Sequence, residues 1–94
     1  MIPDRYRSNA QTSPAEEEID LHGLTVDEAI PKLDDFIYKA YKANHLRVWV
    51  VHGKGSGVLR REVRRYLSKH SLVRTQKAAD SHHGGNGATQ VELQ

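Results

Sequence analysis

The feature that most constrains the fold is a short apolar strand pattern between two amphipathic helical patterns. Residues 46–51 are nearly all apolar and β-branched, as in a strand buried on both faces. Before them, apolar residues recur at helical spacing over residues 26–41, behind a capping box formed by Thr25 and Glu28. A second helical pattern covers residues 58–67. Strands that alternate with helices predict an α/β fold with a partly parallel sheet.

Shorter patterns complete the predicted architecture. Residues 19–21 alternate in polarity and predict a first strand, and residues 72–77 and 88–93 predict two more. The loop at residues 80–87 is rich in His, Gly and Asn, so we expect the last two strands to form a hairpin. Pro31 lies past the first turn of its helix and predicts a kink or an irregular start. The expected fold is an α/β two-layer sandwich, βαβαββ, with a mixed four-stranded sheet and two helices.

Composition limits the class of protein. A chain of 94 residues has room for one domain, and the absence of cysteine excludes disulfides and thiolate metal sites. Residues 1–17 hold prolines, polar side chains and acidic residues, and predict a disordered tail or linker before a folded unit at residues 18–94. No apolar run reaches the length of a membrane helix and no signal-peptide pattern follows Met1, so we expect a soluble cytoplasmic domain without a membrane partner.

The net charge of +2 conceals a strong asymmetry along the chain. Residues 1–44 sum to −4, whereas residues 45–77 sum to +8. The basic segment includes four arginines predicted along one flank of the second helix: Arg60, Arg61, Arg64 and Arg65. Guanidinium groups suit bidentate contacts with phosphate, so this pattern indicates a nucleic-acid partner bound through its backbone or shape. The alternative is a solvated face in which Arg61 or Arg65 pairs with Glu62 or with the acidic first helix.

A histidine–glycine pair closes each of the first two predicted strands, at His22-Gly23 and His52-Gly53. If the strands are parallel, both pairs lie at one edge of the sheet beside a helix N-terminus, where ligands and phosphates bind. Histidine is a general acid or base near neutral pH, and Asp20 is placed to orient the ring of His22 or to hold a metal ion. For either pair alone, the alternative to a catalytic role is that the histidine is a turn residue and the glycine is the hinge of that turn.

The second pair continues into a glycine-rich turn that predicts an anion site. Its candidate phosphate-binding residues are Gly53, Lys54, Gly55 and Gly57. Glycines let backbone amides approach an anion, and Lys54 is suited to stabilise the extra charge of a phosphoryl transition state. The spacing fits neither a dinucleotide-binding fingerprint nor a P-loop.

Three other residues have chemistry-bearing side chains but simpler explanations. Trp49 lies within an apolar strand and is predicted to be core, because base stacking would require it to face solvent. His82 and His83 suggest a metal site with His22 or His52. Adjacent histidines point in different directions and no zinc motif is present, so exposed loop positions are the better interpretation.

Three ordered segments resemble the Smr (small MutS-related) domain. They are IDLHGLT at residues 19–25, HGKGSGVL at residues 52–59 and GGNGATQVEL at residues 84–93, and the resemblance covers residues 18–94. It implies a fold similar to the C-terminal domain of translation initiation factor three, and an endonuclease that nicks DNA or cleaves messenger RNA. Domains of this family occur alone or behind a MutS-type ATPase that suppresses recombination and acts on stalled ribosomes, and the polar tail fits either context.

The resemblance also assigns roles to residues. It implies that Asp20 and His22 fill a motif tied to cleavage and that His52 fills a second motif beside it. The third motif is filled by Gly85, Gly87 and Thr89. The sequence departs from the family's usual residues at His82, His83, Gln90 and Ser71. These departures affect the rim of the site and the packing of the domain.

Two chemical schemes and one alternative function follow. With RNA, the 2′-hydroxyl is the nucleophile and His22 and His52 share the base and acid roles without a metal. With DNA, a water molecule must be activated as the nucleophile, and a Mg²⁺ or Mn²⁺ ion held by Asp20 would activate it. The alternative is a non-catalytic module that docks on branched DNA or on ribosomal RNA between collided ribosomes.

Overall fold

The computed structural model describes residues 16–94 as a four-stranded sheet with two helices on one face. The strands are β1 (Glu16–Asp20), β2 (Arg47–Val51), β3 (Val73–Ala78) and β4 (Ala88–Leu93). Helix α1 (Val26–Lys42) follows β1, helix α2 (Val58–Ser68) follows β2, and two 3₁₀ turns at Ser81–His83 and Gly85–Gly87 precede β4. The predicted α/β architecture and element order are confirmed.

The strand order β1-β2-β4-β3 brings three chain segments to one edge of the sheet. β1 and β2 are parallel, whereas β4 is antiparallel to both β2 and β3, so the predicted hairpin is present. Val51 lies opposite Asp20 on one side and Ala88 on the other. The ends of β1 and β2 and the start of β4 therefore meet, together with the turns attached to them.

The two faces of the sheet have different cores. The helix-facing core is fully buried and includes Leu33, Ile37, Val48, Val50, Val63, Leu67, Val91 and Leu93. Each such side chain contributes about 1.5–3 kcal/mol by leaving water. On the opposite face, Trp49 packs with Ala79 and Ala88 and is 5% exposed. The prediction that Trp49 is a core residue is confirmed.

Three boundaries differ from the sequence predictions. Residues 1–15 of the predicted tail lie outside the described residues, but Glu16 and Glu17 belong to β1, because they pair with Arg47 and Val48 of β2. β3 is displaced by one residue, to 73–78. The irregular start predicted from Pro31 is wrong: the capping box forms, and α1 continues through the proline as one helix.

No helix within residues 16–94 has the length and apolar character needed to span a bilayer.

Candidate functional site

The turn after β1 holds the ring of His22 against the carboxylate of Asp20. Asp20 Oδ1 accepts a hydrogen bond from the backbone N–H of His22 at 3.0 Å and lies 2.6 Å from its Nδ1. These hydrogen bonds, the side-chain one first, lower the pKa of Asp20 and keep it ionised at neutral pH. An ionised carboxylate only accepts, so Nδ1 carries the proton and donates. Both side chains are more than half exposed, and Nε2 has no hydrogen-bond partner among residues 16–94.

The glycine-rich turn after β2 packs directly on this pair. Gly53 adopts φ +83°, and a Cβ added there would lie 3.3 Å from the Cβ of His22. The backbone N–H groups of His52 and Gly53 both donate to the carbonyl of Gly87, at 3.0 and 2.9 Å. Segments from all three sequence motifs are therefore in contact at one edge of the sheet.

His52, in contrast, points into the protein and is only 4% exposed. Its Nδ1 lies 3.0 Å from the carbonyl oxygen of Gly53, which can only accept, so Nδ1 carries a proton. Its Nε2 lies 2.9 Å from Oγ1 of Thr89, and that oxygen also accepts from Nε of Arg64 at 3.2 Å. When His52 is neutral with its proton on Nδ1, the hydroxyl of Thr89 donates to Nε2, and every donor in this network meets an acceptor.

The electrostatics agree with a neutral His52. Burial is the largest influence and lowers its pKa, while the hydrogen bond to the carbonyl of Gly53 acts in the opposite direction. The nearby guanidinium groups of Arg64 and Arg60 lower the pKa further. Both ring nitrogens have partners within the protein, and through them His52 joins the turn after β2 to β4 and α2. The acid and base role predicted for His52 would require one of these hydrogen bonds to be released.

A hollow of about 180 Å³ opens at the start of α2, lined by the glycine-rich turn and by Lys54 and Arg60. Gly57 precedes the helix with φ +86° and offers no side chain to cap it. The guanidinium of Arg60 folds over this glycine, because an added Cβ there would lie 3.1 Å from Nη2. Free helical N–H groups with two cations suit a phosphate. Gly23, which follows His22 in the chain, and His52 also line this hollow.

The four arginines of α2 do not form the single flank that the sequence predicted. Arg60 reaches the hollow, and Arg64 enters the interior hydrogen-bond network. Arg61 Nε lies 3.2 Å from Glu62 Oε2, and Arg65 Nη1 lies 3.9 Å from Glu62 Oε1, with both arginine side chains over 60% exposed. Arg61 and Arg65 therefore pair with Glu62 and lie away from the site, as the alternative interpretation held.

The third motif shapes the floor of the site. Gly87 is buried, and a Cβ added there would lie 3.4 Å from Cγ of Lys54 and 3.7 Å from the backbone of Gly53. Gly85 adopts φ +54°, a conformation that favours glycine. Thr89 is fully buried and supplies the hydroxyl described above. These three residues thus set the spacing between the turn after β2 and the start of β4.

The described residues do not form a built metal centre. Within residues 16–94, no three histidine, aspartate or glutamate side chains lie close enough together to hold an ion. The Oδ1 atom of Asp20 is already engaged by the backbone N–H and the ring of His22. The suggested Mg²⁺ or Mn²⁺ site at Asp20 therefore has no ligand set of three such side chains within residues 16–94.

Sequence reasoning missed a stacked pair beside the site. The ring of His83 lies 4.3 Å from that of Trp49 at an interplanar angle of 12°, and its Nδ1 is 2.8 Å from Oδ1 of Asp80. His82 is exposed, as expected. The available signal was the Asp80-x-x-His83 spacing within a short turn, since aspartate commonly caps such turns through its side chain.

Comparisons with known protein sequences identify the family of this chain. A family model described as the Smr domain matches residues 19–94. The chain is 39% identical over 85 residues to the protein named Endonuclease MutS2 of Listeria innocua, covering 90% of this chain and 11% of that protein. It is 42% identical over 81 residues to the protein of the same name from Clostridium beijerinckii, covering 86% and 10%. The chain thus spans about a tenth of the length of these curated relatives.

Two crystal structures have the same fold. The Smr domain of Thermus thermophilus MutS2 aligns with a TM-score of 0.80 and 36% identity, covering 83% of this chain and 98% of that one. YdaL, a stand-alone small MutS-related protein from Escherichia coli, aligns with a TM-score of 0.79 and 30% identity, covering 87% and 66%. The sequence resemblance is thereby confirmed: the chain belongs to the Smr domain family.

Proposed function

We propose that this domain binds nucleic acid and cleaves RNA phosphodiester bonds, with Asp20 and His22 as the acting pair. One observation carries the proposal: an ionised carboxylate holds the exposed His22 ring by Nδ1, so Nε2 is directed away from Asp20, and the next residue, Gly23, lines an anion-sized hollow. An imidazole oriented in this way is suited to remove a proton. The name Endonuclease MutS2, borne by the relatives, supports a nuclease-related family.

In the proposed reaction, Nε2 of His22 takes the proton of a ribose 2′-hydroxyl. The 2′-oxygen attacks the adjacent phosphorus, a 2′-O–P bond forms, and the bond from phosphorus to the 5′-oxygen breaks. The leaving oxygen takes a proton from water, so the products are a 2′,3′-cyclic phosphate and a 5′-hydroxyl. Asp20 stabilises the imidazolium that forms, because its carboxylate stays next to Nδ1–H.

The hollow supplies the phosphate contacts in this scheme. Lys54 and Arg60 line it, and the start of α2 adds the backbone N–H groups that follow Val58, whose own N–H donates to Ser56 Oγ at 3.3 Å. These groups stabilise the negative charge that increases on the phosphoryl oxygens in the transition state. Arg60 is the arginine of the α2 group that reaches this position. We therefore assign phosphate binding to the hollow and not to the exposed flank of α2.

The second candidate is a non-catalytic module that binds branched DNA or ribosomal RNA. The burial of His52 favours it, because phosphodiester cleavage commonly uses one group as base and another as acid, and of the two motif histidines only His22 is exposed. Such a module would use the same hollow for binding. The two candidates differ in what removal of the His22 ring does. In the first it abolishes turnover, and in the second it only weakens binding.

Cleavage by the His22→Ala and Asp20→Asn variants tests the proposal. Each is assayed on a single-stranded RNA and on plasmid DNA, with and without excess chelator, and the product ends are identified. We expect wild type to cut RNA in chelator and to leave a 2′,3′-cyclic phosphate. We expect His22→Ala to lose about 10²–10⁴-fold in rate while it retains most of its RNA affinity.

His82→Ala is the matched control, because it removes an exposed imidazole outside the site. It should cut RNA at the wild-type rate. Undiminished cleavage by His22→Ala would exclude the catalytic assignment. Binding without any turnover by wild type would establish the second candidate instead.

A further inference from the structure

The sheet face opposite the helices carries a feature that the cleavage scheme does not use. The indole of Trp49 is covered by the imidazole of His83, with ring centroids 4.3 Å apart. The His83 side chain nevertheless keeps 40% of its surface exposed. One face of the imidazole therefore rests on the indole, and the opposite face is open to solvent.

The His83 ring is held in place by its own turn. Asp80 Oδ1 lies 2.8 Å from Nδ1 of His83 and also accepts from the backbone N–H of His82 at 3.0 Å. The carbonyl of Asp80 accepts from the N–H groups of His83 and Gly85, at 3.0 and 2.9 Å. A ring that is already fixed on two sides loses little conformational entropy when a ligand stacks on it.

Strand register places this stack beside Asp20. Asp20 pairs with Val51, and Trp49 is two residues earlier on the same strand and the same face. Neighbouring strands lie about 4.8 Å apart and rise about 3.3 Å per residue, so the Cα atoms of such diagonal neighbours are about 8 Å apart. Lys77 lies on this face too, opposite Gln90, and makes no ion pair within residues 16–94. The face therefore combines a flat aromatic surface with a cation two strands from Trp49 on one side and the carboxylate of Glu18 on the neighbouring strand on the other.

We propose that the outer face of His83 is a stacking platform for one unpaired nucleobase of the strand bound at Asp20 and His22. Aromatic rings stack on any base, because every base has a π-face, so the platform would be tolerant of sequence. A neighbouring ammonium group suits the phosphates on either side of that base. The inference rests on the proposed function in one respect, namely that the ligand is a single-stranded nucleic acid.

The test compares short oligonucleotides with analogues that lack a single base but keep every phosphate. Binding of oligouridylate and oligodeoxythymidylate, each with its abasic counterpart, is measured with the cleavage-deficient His22→Ala variant as background. Trp49 is the only tryptophan in the chain, so its fluorescence reports the stack directly. With His83 present, we expect the best-placed base to tighten binding by about five- to tenfold and to change the Trp49 emission.

Two further variants separate stacking from other effects. His83→Ala should reduce the base-dependent ratio to about one, whereas His83→Phe should retain it, because a phenyl ring also stacks. His82→Ala, the neighbouring histidine without a stack, should keep the full ratio. A ratio unchanged in His83→Ala, or lost equally in His82→Ala, would overturn the platform.

Failure of the proposed function has a different outcome. If His22→Ala still cleaves RNA, the catalytic assignment is lost, but the ratio between base-containing and abasic oligonucleotides would still report on His83. If neither oligonucleotide binds or changes the Trp49 emission, the platform is refuted whatever the cleavage assay shows.

Discussion

Replacing Thr89 by valine isolates the hydrogen bonds that surround His52. Threonine and valine have nearly the same shape, so the substitution removes the hydroxyl without opening a cavity. Thr89 is fully buried, and its Oγ1 lies 2.9 Å from Nε2 of His52 and 3.2 Å from Nε of Arg64. The variant therefore leaves one buried acceptor and one partly buried charged donor without their partner.

The two losses differ in size. His52 is 4% exposed, so water cannot replace the lost donor, and an unsatisfied buried acceptor costs about 1–3 kcal/mol. Arg64 is half-buried and its guanidinium has other N–H groups that can meet solvent, so its share is small. We expect Thr89→Val to lower the free energy of unfolding by about 2 kcal/mol, which for a domain of this size is roughly 8–16 °C in Tm.

Thr89→Ser is the matched control, because it keeps the hydroxyl and removes one methyl group. Its expected cost is about 1 kcal/mol. Urea unfolding followed by circular dichroism measures both variants, with the m-value serving as the check that unfolding remains two-state. If Thr89→Ser costs as much as Thr89→Val, methyl packing and not the hydrogen-bond network stabilises this region, and the neutral state inferred for His52 loses its support.

Three other predictions concern single groups. The pKa of His52 is lowered in the folded state, so the stability that it contributes is present above about pH 6.5 and declines as the pH falls further. ¹⁵N NMR should show a neutral, Nδ1-protonated ring at pH 6.5. A charged ring at that pH would contradict the burial argument. Gly53→Ala should reduce the free energy of unfolding by about 1–2 kcal/mol and the cleavage rate at least tenfold. At Gly23, φ is +81° and an added Cβ would have no atom within 4 Å, so Gly23→Ala should show the backbone cost in stability with a smaller loss of cleavage. Burial, with the hydrogen bond to Asp34, raises the pKa of Tyr66 to about 12, so Tyr66 stabilises the folded state below pH 10 and this contribution is lost as the pH rises to 12. Asp34→Asn should move the spectrophotometric titration midpoint of Tyr66 toward 10. An unmoved midpoint would show that burial alone is responsible.

The order of helices and strands was predictable because the local signals are strong. The helical period over α1, the capping box at Thr25 and Glu28, and the β-branched run of β2 each favour one conformation with little dependence on the rest of the chain. The start of β1 was not predictable in this way. Glu16 and Glu17 extend the strand because β2 offers backbone partners, which is a property of the assembled sheet.

The convergence of the two histidine–glycine turns was predictable, but the orientation of their rings was not. His22 and His52 have the same sequence context, a histidine before a glycine at a strand end. One points outward, held by Asp20, and the other points inward, because Thr89 and the carbonyl of Gly53 provide partners for both ring nitrogens. Thr89 is 37 residues from His52 in the chain, so no local pattern reveals this pairing.

The central claim is that His22 is the imidazole that acts on the substrate and that His52 supports the structure. Single-turnover cleavage of one RNA at saturating protein, measured for His22→Ala and for His52→Gln, tests it most directly. Glutamine keeps a polar group within reach of Thr89, and the folded fraction is determined for each variant. We expect His22→Ala to lose about 10²–10⁴-fold in rate per folded molecule, whereas His52→Gln, though less stable, stays within about tenfold of wild type. A folded His52→Gln protein as inactive as His22→Ala would contradict it.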